Sequence, residues 1–212
     1  SELTPEAWTK EPHNRLLARG PRMRLDAEQI RDSALAVSGL LNPRMGGPGF
    51  SGYQPPNIWE PVGYGDSNTR YYLQVFGPDL YRRSIYSFIK RTAPPPFVSN
   101  FDAPNREVCT VSRPSTTTPL QSLVLLNDVQ FVEAGRAFAQ RTLQRSETDA
   151  QRLAWAFLEC VGRPISDSES TILLESLSRE RKRYGQDPDR AKTLLRNGES
   201  RRIESLDPSE HA

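Results

Sequence analysis

Proline decides how this chain can be built before any other residue type is weighed. Eighteen of its 212 residues are proline, and most of them fall in the first two thirds. Each fixes φ and removes an amide donor, and it pushes the residue before it out of helical geometry, so extended connections should be plentiful there. The last third has few such breaks and reads as helices joined by short turns.

Composition adds bounds. The chain is long enough for one large or two small units with a real core. Its hydrophobic content of 36% and mean hydropathy of -0.64 make it more polar than a typical globular domain. The formal charge is +2, from 28 Lys plus Arg against 26 Asp plus Glu. That balance gives no bulk attraction to a polyanion, and no nucleic-acid partner is expected. No apolar run long enough to span a membrane occurs. Residues 1–10 (SELTPEAWTK) lack the positive start and apolar core of a signal peptide.

The two cysteines, Cys109 and Cys160, stand in unrelated contexts, EVCTVSR and AFLECVGR. Neither belongs to a metal-spaced pair, and no Cys-x-x-Cys-His haem attachment is present. The histidines, His13 and His211, lie near the two ends. No metal site and no cofactor of its own is expected. In an oxidising compartment the cysteines could pair, but a buried thiol and a loop thiol is the commoner arrangement.

Periodicity sets the helices. Residues 25–41 carry an apolar face of Ile30, Leu35, Val37 and Leu41, with Asp26 as N-cap, and Asn42-Pro43 is expected to end the helix. Residues 45–66 are Gly- and Pro-rich, with Phe50, Tyr53, Trp59 and Tyr64 placed to pin a long loop onto a core. Residues 70–76 (RYYLQVF) read as a short strand. Residues 78–90 read as a helix with Leu80, Tyr81, Ser84, Ile85, Phe88 and Ile89 on one face. Pro94-Pro95-Pro96 stops it. Thr118-Pro119 is a strong start for a helix over 119–145, bent at Asn127-Asp128. Residues 149–161 and a Ser166-capped helix to about Tyr184 form a helical hairpin around Gly162-Arg163-Pro164, with Ser166 and Glu169 as a capping box. Residues 187–195 add a short helix, and 197–212 is expected to fray.

Several stretches together carry a family resemblance: DAEQIRD (26–32), RTAPPP (91–96), FDAPNRE (101–107), CTVSR (109–113) and TTTPLQSLVLLND (116–128). In these the chain resembles the planctomycete-specific domain commonly fused to planctomycete cytochrome-C domains in large secreted proteins, a family of unknown biochemical function. The similarity runs over about residues 17–184. It implies a fragment whose N-terminal part, with any signal peptide, is missing, and a periplasmic or otherwise exported parent. It also implies that partners would be other domains of the same polypeptide, a cytochrome-C-type domain among them, with haem held outside this chain. AFLECVGRPISDSES is similar, over few residues, to a helix-turn-helix element of related bacterial domains.

The expected fold is mainly α: an irregular helical domain with long Gly/Pro-rich loops and a C-terminal helical hairpin. Residues 1–147 form the core part of the family domain, 148–197 the hairpin packed on it, and 198–212 a frayed tail.

Function is sought first in the loop 99–115, which places Asp102, Asn105, Arg106, Glu107 and Arg113 in one non-helical stretch. A basic patch of Arg82, Arg83, Lys90 and Arg91 flanks it. Such a set could hold an anion through paired guanidinium donors, with Asp102 or Glu107 moving a proton. The same residues could instead satisfy the backbone of a long connection, which needs such ties whether or not it binds anything. Thr116, Thr117 and Thr118 could offer an anion the amides of a helix start, but capping explains them. The RERKR run, 179–183, reads as a solvated helix face paired with Glu175 and Glu180. No catalytic constellation is recognisable. The leading expectation is an interaction or scaffolding module without its own cofactor. The rival is part of a hydrolase or redox enzyme on a polysaccharide-type substrate, with Asp102, Arg106 and Glu107 in the site.

Overall fold

A computed structural model describes residues 5–13, 15, 20, 23–145 and 148–212. The fold is mainly helical and irregular, with no sheet among the described residues. Its helices are α1 (Pro5–Lys10), α2 (Ala27–Ser38), α3 (Pro96–Asn100), α4 (Pro119–Asn127), α5 (Val129–Leu143), α6 (Asp149–Val161), α7 (Asp167–Gln186), α8 (Pro188–Leu195) and α9 (Pro208–His211). Between α2 and α3 lie only short 3-10 turns at Glu60–Val62, Gly77–Tyr81 and Ser84–Tyr86, and two isolated parallel bridges, Asn42 to Arg82 and Phe50 to Ser87.

Helix boundaries follow the local chemistry. Gln29 Oε1 accepts from the Asp26 amide at 3.0 Å, closing the start of α2. That helix stops sooner than Asn42-Pro43 requires, because Gly39 adopts the left-handed conformation (φ 80°) and returns its amide to Leu35 and Ala36. Thr118 and Pro119 open α4, with Gln121 Oε1 accepting from the Thr118 amide at 3.1 Å. The expected bend at Asp128 is a complete break: Asp128 ends α4 and caps α5 by accepting from the Gln130 amide at 2.9 Å. Ser166 and Glu169 cap α7 reciprocally.

The core sits where α2 crosses α5 and α3 closes the end. Ala27, Phe97, Val98, Phe101 and Phe131 are buried together, with Ile30, Ala34 and Val124 packed around them. Phe101 and Phe131 meet edge to face at 6.4 Å. Three of the expected aromatic pins hold the Gly/Pro-rich loop, two of them by packing: Phe50 lies buried under the Arg31 guanidinium, and Trp59 packs on Tyr72 at 4.8 Å. Tyr53 pins the loop through its hydroxyl, donated to Glu133, whereas Tyr64 stays in solvent.

Residues 70–76 form no strand, and residues 78–90 form only short 3-10 turns in place of the expected α-helix. The second difference comes from Arg31, only 1% exposed in the middle of α2. Its guanidinium donates to the carbonyls of Arg82 at 2.7 Å and Leu80 at 2.9 Å, to Ser84 Oγ at 3.2 Å, and to Gln130. Asp32 accepts from the Ser84 amide at 2.8 Å and from its hydroxyl at 2.7 Å. A helix would have consumed these backbone groups internally. Buried cationic and anionic partners outcompete it, because charge-assisted bonds are about twice as strong as neutral ones. Ile85 and Phe88, expected on a buried face, are consequently exposed.

The C-terminal segment is packed, not frayed. His211 is buried, its Nε2 donating to the Arg136 carbonyl at 3.0 Å. The middle of the RERKR run is likewise more than a solvated face. Arg181 grips Asp149 through two bonds, at 2.8 and 3.2 Å, and Glu210, joining α6, α7 and α9. Arg183 keeps to the expected surface pairing with Glu180. The expected division at residue 147 falls at 146–147, outside the described residues.

Candidate functional site

The loop 99–115 divides its residues between one cleft and open solvent. Phe101, Asp102 and Arg113 line a cleft of about 340 Å³ with Arg24 and Asp26. Asn105, Arg106 and Glu107 do not line it and are exposed. Asp102 is committed to Thr116, accepting from its amide at 2.8 Å and from its hydroxyl at 2.8 Å. Those bonds hold its carboxyl below the usual range. Arg113 forks onto Glu28 of α2 at 2.6 and 3.2 Å, raising the guanidinium pKa. Glu28 is held low by the same contact against the opposing effect of its partial burial. Asn105 accepts from the Glu107 amide at 3.1 Å, a local turn. Asp102 and Arg106 both have left-handed backbones, φ 59° and 63°. Aspartate tolerates that conformation and arginine less readily. The loop's two ends are therefore clamped, at Thr116 and at Glu28, and the stretch between them projects, with Val108 and Val111 in solvent.

The expected basic patch does not assemble. Arg82 is buried at 1% exposure, donating to the carbonyls of Pro48 at 2.5 Å and Gly46 and stacking on Tyr86 at 4.1 Å. Without the helix expected over 78–90, nothing aligns it with its neighbours. Lys90 donates to the Thr69 carbonyl at 2.8 Å and lies over Trp59. Arg83 leans toward Asp32 at 3.9 Å, and Arg91 is exposed. Cys109 and Cys160 are both exposed and free. No group of three or more metal-binding side chains converges among the described residues, and none of the described helices is long and apolar enough to cross a membrane.

Two features escaped sequence reasoning. The first is a buried polar centre on α5. Glu133, 1% exposed, accepts from the hydroxyls of Tyr53 at 2.8 Å and Tyr81 at 2.8 Å and from the Ser200 amide at 2.6 Å. Arg136 approaches it at 3.6 Å and donates to the Ser200 carbonyl at 2.9 Å and to its hydroxyl. Burial, then the carboxylate, pushes both tyrosines well above the ordinary phenol range. Glu133 and Arg136 sit at i, i+3 beside the buried Ala134 and Ala137, and that register on an apolar face was the available signal.

The second feature is α4. Its inward positions are Gln121, 4% exposed, and Val124, while Leu120, Leu123 and Leu126 are 58%, 54% and 73% exposed. The usual polarity of a surface helix is inverted. Gln121 takes the inner side because the 100–118 connection needs its amide, which donates to the Asn100 carbonyl at 2.8 Å. No charged residue lies anywhere on this helix. Beside it, Leu125 joins Ile30, Val37, Phe131 and Phe138 around an open apolar groove of about 500 Å³ bounded by α2, α5 and Cys160 of α6.

His211 gives the packed C-terminus a pH signature. Burial lowers its pKa from 6.5, with Arg136 and Arg202 nearby adding to the effect and the Arg136 carbonyl opposing it. A folded pKa below the unfolded one stabilises fully above 6.5 and is lost as pH falls through 6.5 toward the folded value. Thermal melts between pH 7.5 and 5.5 should show a fall in stability, up to about 1.4 kcal/mol per pH unit between the two pKa values. His211→Gln should flatten that dependence; an equal slope in the variant would contradict it.

A family model described as "PSD1: Protein of unknown function (DUF1553)" matches residues 1–177. None of the curated proteins and none of the solved structures matches the chain.

Proposed function

The chain belongs to the PSD1 family of proteins of unknown function (DUF1553), and from that premise we propose that it is a docking module of a larger exported protein, seating an apolar helix of a neighbouring domain against α4. The observation that carries this is the chargeless leucine face of α4. Monomeric surfaces seldom keep such a contiguous patch in water, and patches of this kind mark contacts with partners. The adjoining groove is open and apolar between α2 and α5, a lining suited to the apolar side of an amphipathic helix. The resemblance of residues 17–184 to domains fused with cytochrome-C-type domains supports a partner from the same polypeptide and an exported location. The polar loop acts in this reading as structure: Asp102, Asn105 and Arg113 tie the long connection, while Arg106 and Glu107 face solvent. The rival hydrolase or redox role would need Asp102, Arg106 and Glu107 to converge. Asp102 is engaged by Thr116, and the other two lie outside its cleft.

The test uses the intact parent protein. Leu123→Asp with Leu126→Asp should leave the melting temperature of the 212-residue chain within about 2 °C, since both side chains are exposed. In the parent, amide exchange over α4 should be slow in the wild type and at least about tenfold faster in the variant. Equally fast exchange over α4 in the wild-type parent and in the chain alone would refute docking there.

A further inference from the structure

We propose that the cleft between α5 and the loop 196–204 is an oxyanion site, with Arg196, Arg201 and Arg202 receiving a phosphate- or sulfate-type group. The cleft holds about 730 Å³ and is walled by Gln140 of α5 on one side and by this loop on the other. Its three arginines lie beyond the residues matched by the family model, and the proposal is independent of docking at α4.

Charge comes first. Among the described residues, none of the three guanidiniums has a carboxylate within ion-pairing distance, although the four arginines of α6 and α7 all do. The cleft also carries two acids, Glu199 and Glu204, and Glu199 is engaged by Gln74 at 3.0 Å. Arg202 donates only a long 3.5 Å bond, to the Leu195 carbonyl. It lies close enough to the buried Arg136 for the two cations to repel, which contributes to lowering the Arg136 pKa below burial alone. Arg136 is itself 2% exposed, and its Nε and Nη1 have no acceptor. Glu133 pairs with Arg136 at 3.6 Å, so the excess positive charge stands on the loop, where three guanidiniums outnumber Glu199 and Glu204, and an anion there supplies the acceptors those guanidiniums lack.

Rigidity comes second. Three side chains of α5 hold the loop in place: Glu133 accepts from the Ser200 amide, Arg136 donates to the Ser200 carbonyl, and Gln140 accepts from the Ile203 amide at 3.1 Å. Gly198, at φ +79°, lets the chain press against Glu133. Arginines mounted on a pinned loop lose less entropy on binding than arginines on a free one. Guanidinium forks match the geometry of tetrahedral oxyanions.

The site can be tested by NMR titration of the 212-residue chain with inorganic phosphate, at constant ionic strength set with potassium chloride. Saturable shifts are expected at the amides of residues 198–204 and at Gln140. The double variant Arg201→Ser, Arg202→Ser should bind about tenfold more weakly or worse while keeping its melting temperature. Arg190→Ser, on the exposed side of α8, should bind as the wild type does. Phenyl phosphate in a parallel arm distinguishes an ester-borne group, which would bind tighter than the free ion, from inorganic phosphate. A response that does not saturate, or that survives unchanged in the double variant, is charge screening and overturns the proposal.

Discussion

Gly198→Ala is expected to destabilise the protein by about 3 kcal/mol or more, the range reached when a strained backbone and an overpacked buried site coincide. The residue lies in the left-handed region at φ +79°, and an added Cβ would overlap the Glu133 carboxyl. Neither party can yield cheaply. Glu133 is held from three sides by Tyr53, Tyr81 and the Ser200 amide, and moving it would strand two buried hydroxyls. Urea denaturation provides the measurement, with Gly135→Ala as the companion. Gly135 lies within α5, and a Cβ there meets nothing within 4 Å. Helix propensity alone should make Gly135→Ala stabilising by about 0.5–1 kcal/mol. A Gly198→Ala midpoint equal to wild type would mean that the C-terminal segment is not seated on Glu133 at all. The variant should also lose amide protection over 198–204, because the clamp and the loop it holds fail together.

Replacing Arg31 should rank beside it. Arg31→Met keeps much of the volume but leaves the Leu80 and Arg82 carbonyls, Ser84 Oγ and Gln130 Oε1 without their donor inside the protein. Breaking such a buried charged network by removing one member costs about 3–5 kcal/mol. Burial has already pushed the Arg31 guanidinium down to about 10, and the charge survives because Asp32 and Asp128 oppose that effect. Arg31→Lys should recover little, since an ammonium cannot reproduce the planar fork that serves three separate carbonyl and amide oxygens. Circular dichroism should change less than stability does, because the segment Arg31 organises contains only short 3-10 turns. Full recovery by lysine would show that charge alone, not donor geometry, orders residues 77–90.

These two sites explain why some elements were legible and others were not. The helical hairpin, the capping of α4 and α7 and the mainly helical class all follow from signals within a few residues: a capping side chain, a proline, a 3.6-residue period. Residues 78–90 carry an equally good helical period and yet form only short 3-10 turns. Their backbone groups are claimed by Arg31 and Asp32, more than forty positions away in sequence. Local propensity amounts to tenths of a kcal/mol per residue, and a buried guanidinium with four acceptors outweighs it. Within the polar loop, Asp102 and Arg113 are the residues that anchor it. Their partners, Thr116 and Glu28, lie outside the 99–115 loop, and only Asp102 and Arg113 share a cleft.

Sequence by itself determined the helical hairpin of the last third and the short helix after it, that proline would keep the middle of the chain irregular, and that the chain belongs to a family of unknown function. Only the tertiary structure decided which side of each helix faces inward. On α4 a single glutamine, needed to satisfy the backbone of the neighbouring connection, turns the leucines to water. On α5 a glutamate and an arginine take the buried face and draw the C-terminal segment onto it. In both cases an unpaired buried peptide group would be more costly than an exposed leucine, and that comparison can be made only once the distant segments are side by side.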